Sequence, residues 1–487
     1  MSQRYSGEAS NESALMGGSG MGIQRASPND VMELVCDVSG TSMQVAAVLV
    51  LQTRSPVEVA AVRSAIADRV PAVPLLRQRL VDTPFGCGRP VWIDDPGFDI
   101  GNHVTSAACA APGDERAMLE VVAQRITQRL PPGRPLWSAT LITGLADGKA
   151  ALMVVFHHVL ADGIGGLAVL AQLVDGIPIP PDPAFPRPPP RSLDLFLDAV
   201  RSRLRAVGRL PAGVGRLRAA VHELGGSRVA RPLRCSLNRP IGTSRGLGVA
   251  RVDLAAVRAA AHAQGGTVND VILTAVTGAL RTVLAGRGER IDRLVVSIPV
   301  SARREATATE LGNQVGVIPV EVPTTGLPTQ RLAATAAITR RRKTVARGSS
   351  ATLIGPVFRV LARAGMLGWF VDRQRLINTF LSNLRGPEQR LSFLGAPVIG
   401  VIPVGTISGN VTVAFAALSY AGGLTVTVIA DPDRCPDLQG VAEALQRELR
   451  IVTGGDGPHP SHHDDRRSWP SPDPAVNPDA TTSVVPT

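Results

Sequence analysis

Lysine is almost missing from this chain. Of its 51 basic residues only Lys149 and Lys343 are lysines, and the rest are arginines, a bias we read as GC-rich coding. Aromatic residues are also scarce, at 3%. A nucleic-acid binder would spread positive charge along a face interleaved with rings, whereas here the charge is local. Residues 186–240 hold 12 Arg against Asp194, Asp198 and Glu223, so this window supplies +9 of the net +11. No nucleic-acid partner is expected. The cysteines are few, odd in number and far apart (Cys36, Cys87, Cys109, Cys235, Cys435), with no C-x-x-C pair. That argues against a disulfide framework or a zinc site and for a reduced, cytoplasmic setting. The segment Met1–Arg25 has no apolar core and reads as a disordered leader, not a signal peptide.

Long uninterrupted helical spans are lacking too. Residues 391–430 carry no charge. Yet Val411, Val413 and Phe415 alternate with smaller residues, Gly422-Gly423 offers a hairpin turn, and residues 425–429 alternate again, which favours strands. The apolar stretch 352–371 is broken by Arg359 and Arg363. No transmembrane helix is expected.

What the chain does contain is length and apolar residues. At 487 residues and 44% hydrophobic it can bury two or three ordinary cores. Ser55-Pro56 is expected to open a helix whose Val59, Val62 and Ile66 share one face. Strands are expected at Leu136–Leu145 and Ala150–Phe156, the latter covered on both faces, followed by a helix over Gly163–Val174. Eight prolines between Pro178 and Pro190 predict an extended linker. Beyond it Phe196, Val200, Leu204 and Val207 recur at helical spacing, with Arg201, Arg203, Arg205 and Arg209 largely off that stripe. This basic face is either ordinary solvated surface or a contact for anionic lipid. A second α/β region is expected, with a helix at Asn269–Leu284 and a strand at Leu294–Pro299. The resulting division is a leader (1–25), an N-terminal domain (26–177), a Pro/Arg-rich linker (178–245), a C-terminal domain (246–453) and a disordered tail (454–487). His462-His463-Asp464 in that tail reads as a solvated patch, so no metal is expected.

The strongest chemical signal is His157-His158-Val159-Leu160-Ala161-Asp162-Gly163, between the apolar strand and its following helix. An imidazole titrates near neutrality and makes a natural general base, a role worth about a hundred- to ten-thousandfold in rate. Asp162 can orient that ring directly or through an Arg, and Gly163 relaxes the backbone entering the helix. Two other patterns are weaker. Gly163, Gly165 and Ala168 satisfy G-x-G-x-x-A, but no second strand ending in an acid follows. Gly242-Thr243-Ser244-Arg245-Gly246 satisfies G-x-S-x-G, but in a loop ahead of a strand, where a nucleophile elbow cannot form. No P-loop appears.

H-H-x-x-x-D-G resembles the CoA-dependent acyltransferase superfamily. Several further motifs resemble its bacterial wax ester synthase/diacylglycerol acyltransferase group. They are Arg77-Gln78-Arg79-Leu80, Gly88-Arg89-Pro90-Val91-Trp92, Phe98-Asp99 with His103, Arg134-Pro135-Leu136-Trp137, Asn269-Asp270, Pro299-Val300-Ser301 with Arg303, Gly312-Asn313, Ser382-Asn383 with Gly386-Pro387, and Asp431-Pro432-Asp433. They occur in order from about Pro28 to Val452. Pro131-Pro132-Gly133 departs from the group, whose members commonly carry an acid before this Arg. The resemblance implies an α/β fold of two chloramphenicol-acetyltransferase-like domains around a central channel. It implies His158 as general base, His157 and Gly163 as shaping the site, Asp162 as orienting, and Asn269, Ser382 and Asn383 as substrate or oxyanion candidates. It implies acyl-CoA as substrate with no cofactor, and diacylglycerol or a fatty alcohol as acceptor, at a possible peripheral membrane or lipid-droplet surface. Two other readings stay open: a non-catalytic lipid-binding protein and a carrier-protein-dependent condensation-type acyltransferase.

Overall fold

The run Gln44–Gln52 forms strand β1 because both of its faces find cover. Ala46 and Val48 enter one apolar cluster, and Ala47, Leu49 and Leu51 enter another. The computed structural model describes residues 23–37, 42–160, 163–176, 182, 184–208, 232–301, 315–345, 361 and 364–454. Helix α1 (Pro28–Cys36) precedes β1, and α2 (Val59–Ala67), α3 (Pro74–Arg77), β2 (Gln78–Val81), β3 (Val91–Asp94) and β4 (Val104–Ala108) follow it. The first half continues through α4 (Glu115–Ile126), β5 (Trp137–Leu145), β6 (Lys149–His157), α5 (Gly163–Leu173) and α6 (Ser192–Gly208). The second half begins with β7 (Gly246–Asp253), α7 (Leu254–Ala263), α8 (Val268–Gly286), β8 (Arg293–Ser301), β9 (Val315–Pro323) and α9 (Pro328–Val345). It ends with α10 (Leu367–Val371), β10 (Thr379–Arg385), β11 (Ser392–Phe393), β12 (Ala396–Val404), β13 (Val413–Tyr420), β14 (Gly423–Ala430) and α11 (Leu438–Thr453).

These strands build two six-stranded mixed sheets, ordered β11-β12-β1-β6-β5-β4 and β7-β14-β13-β10-β8-β9. The two-part α/β fold expected from the sequence is therefore present. The partition differs from a single cut along the chain, because β11 and β12 come from the second half and complete the first sheet. Strand β12 pairs antiparallel with β1, Ala46 opposite Val404 and Val48 opposite Ile402. Its uncharged sequence follows from that position, with Val398 and Val401 facing one core and Ile402 and Val404 another.

Three large apolar clusters result. One fills the first half under α2 and α5, and one fills the second half around α8. The third joins them, packing Ala46, Met153 and Val155 of the first sheet and α4 against Ala414, Ala416 and Ile429 of the second. Among the described residues α8 is the one helix long and apolar enough to cross a membrane, and it is a core helix with 72% of that stretch buried.

Several local expectations need correction. Helix α2 starts at Val59, and Ser55 and Pro56 lie exposed ahead of it, although Val62 and Ile66 are buried as expected. The hairpin turn is Ala421-Gly422, both at positive φ, while Gly423 already pairs with Tyr420 in the ladder. A two-residue turn of this hand matches strand twist. The leader shortens: Arg25 pairs with Val91 and donates to Asp198 (2.6 Å), the Arg89 carbonyl (2.8 Å) and the Leu195 carbonyl (2.8 Å). Residues 1–22, 209–231 and 455–487 lie outside the described residues, and with them Arg209 and the His462-His463-Asp464 patch.

The described part of the proline-rich segment is tied down rather than merely extended. Fully buried Arg77 donates to Asp182 (2.7 Å) and the Pro71 carbonyl (2.6 Å) and stacks on Phe185 at 4.6 Å. Arg187 bonds Asp182 as well, and its backbone N–H donates to Asp94 at 2.9 Å. A buried guanidinium must be paired to be tolerated. Arg77 thus fastens the segment leaving the first half.

A second buried pair, Arg331 and Glu448 at 2.6 Å, lies over Gly278 on α8. A methyl at Gly278 would collide with both charged groups. Gly278→Ala is expected to cost about 3–5 kcal/mol, the usual penalty for breaking a buried pair, as read by urea unfolding.

The Arg77 hydrogen bond, with the Ala184 N–H, lowers the Asp182 carboxyl from 3.8 to about 2. A lowered folded-state value stabilises above the unfolded pKa and loses that contribution as pH falls toward the folded one. Stability is therefore expected to drop between about pH 4 and pH 2, and Asp182→Asn should remove that part of the acid titration.

Candidate active site

Strand β6 runs into the predicted motif. Alternation along it sends Phe156 and Val154 into the first-half core and Val155 and Met153 into the junction between the halves, so His157 falls on the junction face. His157 stands opposite Gln44 of β1 and is 4% exposed. His158, one residue past the strand, is half-buried, and its N–H donates to the Met43 carbonyl at 2.7 Å. The chain then turns, with Leu160 N–H bonded to the His157 carbonyl at 2.9 Å, and Gly163 opens α5. Asp162 lies outside the described residues.

The His157 ring is held at both ends. Its Nδ1 accepts from the Val159 N–H at 3.1 Å, which puts the proton of a neutral ring on Nε2. That Nε2 lies 3.5 Å from Oδ2 of Asp37, whose Oδ1 is 3.5 Å from Arg129. Burial alone would push the Asp37 carboxyl up, but His157 and Arg129 outweigh it and hold it below its usual range. Asp37 was not singled out by the sequence. It stands 120 residues before His157, just past α1, and no local spacing signals the contact.

The remaining motif residues separate into framework and open positions. Trp137 is 1% exposed, donates from Nε1 to the Leu76 carbonyl at 2.7 Å and stacks on His103 at 4.6 Å. Phe98 continues that stack, and His103 Nδ1 contacts the Trp137 carbonyl at 2.9 Å. Burial, countered by this hydrogen bond, lowers the His103 pKa, as befits a packed ring. Asp431 is fully buried and accepts from the Gly242 N–H at 2.7 Å, so the G-x-S-x-G loop is tied to the second half as a plain connector ahead of β7. Asp270 caps α8 by accepting from the Thr267 N–H (2.7 Å) and bonds Thr339 (2.7 Å). Its neighbour Asn269 is half-buried in the first turn.

Ser382 and Asn383 sit on β10, opposite Ala416 and Ala417 of β13. Phe380 and Leu384 pack on the junction and first-half clusters, whereas Leu381 enters the second-half core. By alternation Ser382 shares the face turned to the first half, and Asn383 shares the other. Of the two, Ser382 is placed toward the half that carries the histidines. Arg303, Gly312 and Asn313 lie outside the described residues.

Beside the Gln44 and His157 pair the two halves leave a partly open cavity of about 50 Å³ with a mixed polar and apolar lining. Gln44, Ser42, Thr406, Arg129 and Arg245 contribute to its lining. This places water-sized space and cationic groups near the base of the histidine turn.

Comparison with known proteins agrees with this framework. Residues 26–272 match the wax ester synthase/diacylglycerol acyltransferase catalytic domain, and residues 311–453 match the WS/DGAT C-terminal domain. A Mycobacterium tuberculosis protein named probable diacylglycerol O-acyltransferase tgs1 is 32% identical over 434 residues, spanning 84% of this chain and 92% of its own. The wax ester synthase/diacylglycerol acyltransferase from Marinobacter aquaeolei VT8 superimposes with a TM-score of 0.65 at 23% identity, covering 89% of this chain and 100% of its own. The first condensation domain of the calcium-dependent antibiotic synthetase shares the fold at a TM-score of 0.59 and 15% identity, covering 89% of this chain and 96% of its own. With its two family domains in order and its histidine turn at the junction of two sheets, the chain belongs to the wax ester synthase/diacylglycerol acyltransferase family of acyltransferases.

Proposed function

We propose that this acyltransferase moves a fatty acyl group from acyl-CoA to the hydroxyl of diacylglycerol or of a long-chain alcohol, with His158 as general base. The observation that carries the reading is the position of the His157-His158 turn, at the end of the strand where the cores of both halves meet. The ring nitrogen of His158 takes the hydroxyl proton as the alcohol oxygen attacks the thioester carbonyl. The tetrahedral centre then collapses, the C–S bond breaks, and the proton passes to the departing CoA sulfur. Direct attack needs no acyl-enzyme, and it needs a donor for the developing oxyanion together with exclusion of water. Ser382 and Asn269 are the side chains we assign to contact with the reacting groups from the second half. Asn383 lies on the opposite face of β10 and is given no contact with the reacting groups in this scheme.

Support for the site comes from its bracing. His157 is a positioning residue: its ring accepts from Val159 and leans on Asp37, which stiffens the turn that presents His158. The acceptors are bilayer lipids, so the reading places the chain at a membrane or lipid-droplet surface on the cytoplasmic side. Acyl-CoA is a substrate here, with no further cofactor in the scheme.

Purified protein given oleoyl-CoA and diolein is expected to form triolein and release CoA. His158→Ala should lower kcat by about a hundred- to ten-thousandfold while its circular dichroism stays native. Lipid capture without CoA release would favour the lipid-binding reading, and a requirement for a carrier-bound acyl group would favour the condensation-type reading. Asp37→Asn should reduce kcat by about tenfold and leave the KM for acyl-CoA nearly unchanged. An altered pH profile in that variant would separate positioning of the base from simple loss of fold.

A further inference from the structure

The sequence puts Phe196, Val200 and Leu204 on one stripe of helix α6. The structure turns another face of the helix inward. Its buried residues are Leu195 (6% exposed) and Ala199 (3%), and Leu195 packs with Cys87 and Val91. The apolar stripe faces outward, with Leu193 at 65%, Phe196 at 46%, Leu197 at 42% and Leu204 at 67% exposure. At about 100° per residue, Leu193, Phe196, Leu197, Val200 and Leu204 occupy an arc of about 100°. Arg201 and Arg203 fall about 80° to either side of its centre, and both are exposed. Arg203 also donates to the Gly86 carbonyl at 2.9 Å, which brings the β2–β3 loop beside the helix. The residue next to that carbonyl is Phe85, whose side chain is fully exposed at 107%.

We infer that α6 and Phe85 form a docking surface for a bilayer containing anionic phospholipid, with the apolar stripe inserted among acyl chains and the arginines on headgroup phosphates. The inference rests on the acyltransfer reading for its purpose, because diacylglycerol and long-chain alcohols are held in such bilayers. Apolar residues in a surface-parallel helix flanked by guanidinium groups fit the headgroup boundary, where arginine stems lie along apolar surface and the charges stay in the polar layer. Charge favours this occupant over a second copy of the chain. Two-fold pairing through the stripe would set Arg201 and Arg203 against the same flanks of the partner helix. The acids on α6 offer little relief, since Asp198 is neutralised by Arg25 and leaves Asp194 alone against Arg201, Arg203 and Arg205. The same Arg25 contacts, with Leu195 and Ala199, hold the helix on the protein, so the stripe is presented on a fixed support.

The test is co-sedimentation of the full chain with phosphatidylcholine vesicles, with and without phosphatidylglycerol. The chain is expected to pellet with the anionic vesicles and to be released by salt. Leu197→Glu with Leu204→Glu should lose at least tenfold in affinity, and Arg201→Gln and Arg203→Gln roughly fivefold each. Ile451→Glu, an exposed apolar residue on α11, should bind as the parent does. Equal binding to neutral vesicles, unchanged binding of the double glutamate variant, or a dimer that this variant dissolves without vesicle binding would overturn the inference. CoA release from acyl-CoA with a water-soluble short-chain alcohol reports on the acyltransfer reading separately. Vesicle binding without CoA release sinks that reading and leaves the surface standing. CoA release at parent level in the double glutamate variant, with vesicle binding lost, supports both.

Discussion

Strand β1 is hydrogen-bonded on one edge to β6, which ends in the histidine turn, and on the other to β12, contributed by the second half of the chain. Most of the structure depends on this shared strand. Side chains alternate with a period of two, so a slip of one residue between β1 and β6 would exchange the two faces of the strand. His157 would then leave the junction and Phe156 would enter it. Both faces are apolar, so side-chain size and fit hold the register, with Leu49 and Leu51 filling one cluster and the smaller Ala46 and Val48 the other. The position of the proposed base is therefore a consequence of packing. The β11–β12 pair adds a covalent reason for the halves to stay together, since the connections from β10 and to β13 on either side of it cross between the sheets.

Most of the family motifs turn out to hold the frame rather than to touch the histidine turn. Trp137, His103 and Phe98 are a stack of rings, with His103 Nδ1 and Trp137 Nε1 each bonded to a backbone carbonyl. Asp270 and Asp431 cap and tie the second half, and Arg77 fastens the segment that leaves the first. Buried polar groups of this kind are costly unless fully bonded, so each specifies one arrangement of the chain around it. Near the histidines the bracing includes the Val159 N–H and the Asp37 carboxylate on the His157 ring and the Met43 carbonyl on the His158 N–H. This short turn leaves His158 half-buried, as an alcohol-facing base requires.

Charge is handled differently on the two sides of the proline-rich segment. Where arginines are buried, as at Arg77 and Arg331, each has a carboxylate within 2.7 Å. On α6 they are exposed beside an apolar stripe, and among the described residues the carboxylate contact of that helix is the one from Arg25 to Asp198. Helix α6 itself carries Arg201, Arg203 and Arg205 against Asp194 and Asp198, so most of the excess charge counted in the sequence lies outside this helix.

The sequence by itself determined the elements whose signals are local: the strand, turn and helix around His157 and His158, the alternating strands β13 and β14, the helical spacing in α6, and the α/β class. Periodicity and turn chemistry act over a few residues and can be read there. Only the tertiary structure decided matters that depend on distant partners. Asp37 reaches His157, Arg77 takes Asp182, and β12 joins the sheet of the other half because long-range packing and charge pairing select one partner among many of equal local character. The same holds for α6, where two faces were apolar enough to bury. Arg25 and the small residues Cys87 and Ala199 settled which one met the protein, and so which one was left to face outward.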